Sequence, residues 1–291
     1  MGLHSKKEVM TEEDFSLLRD LVRREFGVLL KGDKRLTLHA KVSHRLGILG
    51  LGSYREYYDY ILSDPSKDEL YTLASHITNN ETYFFRERVQ LDVFLDLLKE
   101  IKREKQRRRQ NRLRILSVAS SSGEEVYTLN IIVQESGLFA WDWDVLITGI
   151  DINRNAVRKA QEACYSQNSF RSLNGDAGIA KKYFTADKDR FRLRKFFKKN
   201  VEFRHGNILD RNAFGGLCPV DVVFCRNALI YMSDEAIAKI VGNFFDCIDE
   251  RGYLFVGSSE SLIQRTNLFL PEYVDGIIVY RKNARGNNAL E

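Results

Sequence analysis

The chain has 291 residues, 44% hydrophobic and 29% charged, with a formal net charge of +5. This composition excludes a disordered chain and fits one large or two modest domains. No apolar run reaches the roughly 18–20 residues of a membrane helix, and residues 1–10 lack the apolar segment of a secretory signal, so neither is expected. Cys164, Cys218, Cys225 and Cys247 form no C-x-x-C pair. That predicts reduced thiols, no metal site and a cytoplasmic protein.

The first third reads as helices. Thr11-Glu-Glu-Asp caps a run in which Phe15, Leu17, Leu18, Leu21, Val22 and Phe26 share one face, and Gly27 ends it. A second helix is predicted over 31–46, carrying Lys31, Lys34, Arg35, Lys41, His44 and Arg45. These charges fit a solvated face and an acidic partner's docking surface equally well. A Gly-rich turn at 47–53 leads to a helix with Tyr54, Tyr57, Tyr58, Ile61 and Leu62, which Asp64-Pro65 stops. A fourth helix covers 68–77. No strand signal precedes residue 110. Residues 78–86, polar and then aromatic, match neither period. A long helix over 89–105 enters the basic run 102–114, read as a solvated helix end rather than a nucleic-acid patch, because the exposed aromatics of single-strand binding are missing.

From Leu113 strands and helices alternate. Strands are predicted at 113–119, 145–150, 201–205, 220–225, 252–256 and 276–280, and helices at 124–134, 155–164 and 236–248. This order gives an α/β fold, a doubly wound sheet with helices on both faces. Residues 183–199, rich in Phe, Lys and Arg, predict short antiparallel strands inserted into it. The expected domains are a helical N-terminal part (8–76), a linker and helix (77–112), and an α/β domain (113–283) whose inserted β-subdomain spans about 183–200. A frayed tail, 284–291, follows.

Ligands of such sheets bind beyond the C-terminal strand ends. Small residues at 119–123 let a ligand approach the backbone beside a helix start. Glu124-Glu125 there repels pyrophosphate but suits an amino group, although an acidic pair also simply favours the helix dipole. Asp151 ends the second strand, where a carboxylate accepts ribose hydroxyls. Together these point to a nucleoside bearing an amino acid and no phosphate, which describes S-adenosylmethionine.

Five segments then carry a family resemblance. Ile77-Thr-Asn-Asn-Glu-Thr-Tyr-Phe-Phe-Arg-Glu87, Ser121-Ser-Gly-Glu-Glu-Val-Tyr127, Gly149-Ile-Asp-Ile-Asn153, Val222-Val-Phe-Cys-Arg-Asn-Ala-Leu-Ile-Tyr231 and Phe255-Val-Gly-Ser-Ser-Glu260 resemble, in order, the chemotaxis-receptor glutamate methyltransferases of the CheR type. The resemblance implies an S-adenosylmethionine-dependent methyltransferase fold with an inserted antiparallel β-subdomain, behind an all-α domain. It implies that Asn80, Thr82 and Arg86 face the cofactor and the transfer site, that Glu125 contacts the methionyl part and Asp151 the ribose, that Asn207 and Ile208 flank the adenine, and that Arg226 and Asn227 line the cleft. Arg86 and Tyr231 would stand at the transferring methyl. The implied partner is the helical cytoplasmic domain of a chemotaxis-type receptor, docked on Lys31, Lys34, Arg35, Lys41 and Arg45. A monomer is expected, with no nucleic acid and no membrane insertion.

Val126 stands where the family often has Pro, which a first helical turn tolerates equally. Relatives that dock a receptor's C-terminal peptide usually carry glycines in the insert, and residues 185–194 have none, so no tether is expected there. A glutamate carboxylate is ionised at pH 7 and needs no general base. His39, His44, His76 and His205 accordingly read as surface or packing residues. Two other readings are a non-catalytic cofactor-binding module and a nucleic-acid methyltransferase. Intact Arg86, Asp151 and Tyr231 disfavour the first. Arg226-Asn-Ala-Leu229, in place of an N/D-P-P-Y/F-type sequence, disfavours the second.

Overall fold

A computed structural model describes residues 9–30, 34–78, 80–173 and 177–283. They fall into two compact units: residues up to 79 with 231–237, and 80–230 with 238 onward.

The helical unit holds α1 (Glu12–Phe26), α2 (Arg35–Leu49), α3 (Tyr54–Ser63) and α4 (Asp68–Ile77). At the start of α1, Thr11 Oγ1 accepts from Asp14 N–H (3.1 Å) and the Asp14 carboxylate accepts from Thr11 N–H (3.0 Å), a capping box. Gly27 ends it at φ 70°, where glycine carries no Cβ penalty. Phe15, Leu18, Leu21, Val22 and Phe26 are buried, as their spacing predicts. Residues 231–237 belong to this unit: Val28 bridges Met232, Leu29 N–H donates to Tyr231 O (2.8 Å), and Ser233 N–H donates to Gly27 O (2.9 Å).

Helix α2 begins at Arg35 rather than 31, and Lys31 lies outside the described residues, as does the 284–291 tail. Two of the helix's basic residues turn inward. Arg45 pairs with buried Glu69 (2.7 Å), which also accepts from Tyr57 (2.8 Å), and Lys41 Nζ donates to the His76 carbonyl. Both side chains join α2 to α4, because a buried Glu69 needs a cation. Arg35 pairs with Glu12 (2.8 Å) at the surface. The exposed positions of α2 are instead Leu36, Thr37, Ala40, His44, Gly47 and Ile48, with Lys34 just ahead of them.

The second unit runs α5 (Arg88–Arg107), β1 (Arg112–Val118), α6 (Glu124–Glu135), β2 (Asp144–Asp151), α7 (Arg154–Glu162), β3 (Cys164–Ser166), α8 (Ala177–Tyr183), β4 (Phe184–Asp187), β5 (Arg190–Leu193), β6 (Val201–His205), β7 (Val220–Cys225), then α9 (Asp234–Cys247, from residue 238 on), β8 (Ile248–Val256), β9 (Phe269–Val274) and β10 (Ile277–Lys282). The main sheet is ordered β6-β2-β1-β7-β8-β10-β9. Its first five strands are parallel, and β10 is antiparallel to both neighbours. The sheet is therefore mixed. Asp275 and Gly276, both at positive φ, turn β9 into β10 as a tight hairpin. The order reverses direction between β1 and β7, which opens a crevice beyond their C-terminal ends.

Phe224 of β7 stacks on Phe255 of β8 (centroids 4.5 Å apart), and Phe94 of α5 meets Phe224 edge-on (5.2 Å). The basic end of α5 is largely solvated, as expected, with Arg103, Arg107, Arg109 and Arg112 exposed, but two of its bases turn inward. Lys105 is buried 2.5 Å from Asp221 and 3.6 Å from Asp249, and Arg108 lies 3.0 Å from Asp249. The inserted sheet has the order β3-β5-β4. Its third strand, β3, comes from what reads in sequence as the end of the 155–164 helix. Its inner face joins a cluster of Phe84, Tyr165, Phe170, Phe184 and Leu193. The expectation of four reduced thiols is also corrected: Cys218 and Cys247 form a disulfide, with Cα atoms 4.8 Å apart. They lie just ahead of β7 and β8, so parallel pairing of those strands brings together residues 29 apart in the chain.

Candidate active site

The crevice is built from the turns after β1, β2, β6, β7 and β8. After β1, three residues of five have left-handed backbone: Ala119 (φ 52°), Ser121 (φ 50°) and Gly123 (φ 90°). A Cβ on Gly123 would lie 2.8 Å from Ala160 Cβ and 2.9 Å from the Phe203 ring, so α6 can start there only from a glycine. Asp151 gathers this turn. Its Oδ2 accepts from Ser121 N–H (2.7 Å), its Oδ1 from Asn153 N–H (2.8 Å), and its backbone O from Gly206 N–H (3.0 Å). Burial pushes the Asp151 carboxyl above its usual range, and the two N–H donors oppose that. Each oxygen keeps a further lone pair for a ligand hydroxyl.

Ser121 Oγ donates to Asn80 O (3.0 Å), tying the segment 80–87 to the β1 turn. Phe84 pins that segment. It is fully buried against Tyr165, Phe170 and Phe184, its N–H donates to Ser169 O (2.9 Å), and Ser172 Oγ donates to its carbonyl (2.5 Å). Thr82 and Arg86 stay partly exposed beside it. Arg86 Nη1 donates to Glu81 O (3.3 Å), its guanidinium lies 5.5 Å from the Tyr83 ring centroid, and its Nε is 4.0 Å from Glu87.

The second cluster centres on Arg226, whose side chain is 2% exposed. Its Nε donates to Glu125 Oε2 (2.6 Å), its Nη1 to Arg86 O (3.0 Å), and Glu87 Oε2 stands 3.8 Å from it. Glu125 Oε1 accepts from Ser117 Oγ (2.8 Å). In this structure, then, Glu125 is held by Arg226 first. Asn227, at φ 58°, donates its Nδ2 to Glu87 Oε1 (3.3 Å) and its N–H to Glu260 Oε2 (2.8 Å). After β6, Asn207 Oδ1 caps Leu209 N–H (3.0 Å) and Ile208 is buried.

Asn80, Glu125, Asp151, Arg226 and Asn227 are thus tied in by direct hydrogen bonds, and Asn207 and Ile208 through Gly206. Tyr231, 41% exposed, is grouped with the helical unit. Sequence reasoning assigned no side-chain role to Glu87, Gln90, Ser117, Ser121 or Glu260. Gln90 bridges Arg226 (3.4 Å) and Val256 O (2.9 Å). Glu87, Ser121 and Glu260 all sit inside the motif segments, the one signal that could have marked them.

Four carboxylates (Glu87, Glu125, Asp151 and Glu260) face two guanidinia (Arg86 and Arg226) at these strand ends. That acid excess disfavours a pyrophosphate and fits a ligand carrying sulfonium and ammonium charges. The residues present therefore fit S-adenosylmethionine. Among the described residues, no group of His, Cys, Asp and Glu could hold a metal ion, and no helix is long and apolar enough to cross a membrane.

The strand order and this crevice define an S-adenosylmethionine-dependent methyltransferase. Residues 80–274 match the family model described as CheR methyltransferase, SAM binding domain, and residues 13–78 match CheR methyltransferase, all-alpha domain. The chain is 31% identical over 263 residues to chemotaxis protein methyltransferase 2 of Vibrio cholerae serotype O1, covering 90% of each chain. It is 28% identical over 278 residues to the chemotaxis protein methyltransferase of Borreliella burgdorferi, covering 94% of this chain and 95% of that one. The protein belongs to the CheR methyltransferase family, and S-adenosylmethionine is its cofactor.

Proposed function

We propose that the enzyme esterifies glutamate side chains on the helical cytoplasmic domain of chemotaxis-type receptors. The observation that carries this reading is the acid-rich crevice with one partly exposed guanidinium, Arg86, at its rim. S-adenosylmethionine, when bound, supplies a methyl group on a sulfonium. Asp151 would hold its ribose, Glu125 its amino group, Asn207 and Ile208 its adenine, with Arg226, Asn227, Asn80 and Thr82 around them.

The incoming carboxylate is already anionic at pH 7, so the chain's task is placement. Arg86 offers charge-assisted hydrogen bonds to it, and its present hold on the Glu81 carbonyl is easily exchanged. Tyr231 offers a hydroxyl, a role that rests on its motif. Opposite charges neutralise as the ester forms, so excluding water favours the reaction.

The receptor would dock on the exposed stripe of α2, where Leu36, Ala40, His44 and Ile48 recur every fourth residue below Lys34 and Arg35. The inserted sheet would not capture a receptor tail. Its edge strand β4 carries exposed Asp187, which Arg192 of the central strand pairs at 2.9 Å, and charges at an edge discourage strand addition. We place the enzyme in the cytoplasm, as a monomer, acting without nucleic acid.

Incubation with methyl-labelled cofactor and a receptor cytoplasmic fragment should give protein-bound label released by mild alkali. Removing the fragment's last few residues should leave the rate within about twofold, since no tether raises effective concentration. Alkali-stable label would overturn the glutamate assignment, and a large drop on truncation would overturn the tether-free docking.

A further inference from the structure

We propose that Glu260 is a positioning residue for methyl transfer, a proposal that rests on the reading above. Its carboxylate collects three backbone N–H groups from two turns. Oε2 accepts from Asn227 N–H (2.8 Å) and Gly257 N–H (2.7 Å), and Oε1 accepts from Ile230 N–H (3.2 Å). The first and third donors belong to the turn after β7, and the second to the turn after β8.

The surroundings are built for this carboxylate. Gly257 lies directly under it: a Cβ there would sit 2.8 Å from Glu260 Oε2 and 2.9 Å from Asn227 N. Asn227 is held in the left-handed region, which a non-glycine residue keeps only when its neighbours over-determine it. Glu87 supplies the second hold, accepting from Asn227 Nδ2 (3.3 Å) and Ser258 N–H (3.2 Å). Two carboxylates thus clamp the β7 and β8 turns together. The clamped turn starts at Arg226, which holds Glu125, and ends at Ile230, one residue before Tyr231. Glu260 therefore fixes the shape of the chain segment that begins with the cofactor-lining Arg226 and Asn227 and leads in sequence to Tyr231, the residue whose motif assigns it to the reacting end.

Charge matters here as well as size. A carboxylate accepts three N–H groups with two oxygens and donates nothing. A glutamine must aim its NH2 either at Ile230 N–H or at the Asn227 and Gly257 pair. Glu260→Gln should therefore fold but release part of the turn. In the labelled-receptor assay its kcat should fall about 10- to 100-fold, the scale of a misplacement near 1 Å. Its affinity for S-adenosylhomocysteine by calorimetry should stay within about fivefold, a split that a general loss of stability does not produce. Glu260→Ala should show the same split more strongly.

Amide hydrogen exchange gives a readout independent of catalysis. In Glu260→Gln, exchange at Asn227 or Ile230 should quicken at least about tenfold while the β7 amides stay protected. A kcat within twofold of wild type, or unchanged exchange at both amides, would overturn the proposal. A wild-type enzyme that forms no receptor ester would instead remove the reading above, and leave the exchange result to judge Glu260's hold on the turn.

Discussion

The main sheet buries a base between two acids at each of its ends, and the two arrangements do different work. At the N-terminal end of β7, Lys105 stands between Asp221 and Asp249, and Arg108, Glu104 and Arg251 extend the cluster to a balance of three bases and three acids. At the C-terminal end, Arg226 stands between Glu125 and Glu87, with Asp151 and Glu260 in excess. The first cluster joins regular elements: the end of α5 and the starts of β7 and β8. The second joins turns, several of them in left-handed backbone. Burying a base between acids therefore does not mark a site. Leftover charge and strained connections do.

The sharpest way to break this comparison is Lys105→Met. It leaves Asp221 buried beside a weaker partner, so unfolding in denaturant should show a loss of about 3–5 kcal/mol. Affinity for S-adenosylhomocysteine should not change. A matching loss of affinity would show that the two ends are not separable.

Asp151→Ala should do the reverse. It leaves ribose hydroxyls and the Ser121 and Asn153 N–H groups without their acceptor, at about 1–3 kcal/mol of cofactor binding. Calorimetry with an unchanged dissociation constant would take Asp151 out of the cofactor site.

Glu124 sharpens the contrast with the smallest effect. It is buried, with Arg171 acting on it only through space, and accepts from Ser122 Oγ (2.8 Å) and Ser169 Oγ (3.0 Å). Burial pushes its carboxyl above the ordinary 4.5. The folded state therefore holds its proton more tightly than the unfolded state does. The stability this adds is fully present below pH 4.5 and is lost as pH rises through the folded value. Glu124→Gln should thus raise stability at pH 7 by about 1 kcal/mol, with the gain shrinking toward pH 4. Thermal unfolding at the two pH values checks this, and a loss at pH 7 would mean that the ionised form is needed.

Much of the α/β frame could be read from residues alone, because parallel strands buried on both faces are continuous apolar runs. Residues 220–225, such a run, and 201–205, an alternating and half-buried edge strand, are both strands to the residue. What escaped was long-range or conformational. Strand β3 is three residues long, too short for a period, and exists through pairing with β5. Strand β9 carries Pro271, which reads as a break but is tolerated on a sheet edge. Lys105 looked solvated because its partners lie more than a hundred residues further on. The motifs placed Asp151 and Arg226 at the strand ends. Nothing in a string of letters shows that Glu260 accepts three N–H groups, since that depends on how two turns fold back.

The left-handed turns carry a consequence for how this protein can change. Among the described residues, twelve non-glycine positions have positive φ, and five of them, Phe85, Glu87, Ala119, Ser121 and Asn227, lie on the segments that form the crevice. At a position such as exposed Ala119, glycine relieves about 1 kcal/mol of backbone strain. A laboratory search for heat-tolerant variants would therefore be drawn toward the crevice, where each gain in toughness loosens the shape that methyl transfer depends on. Lineages adapting to hotter habitats meet the same choice, and are better served by reinforcing the Lys105 end of the sheet.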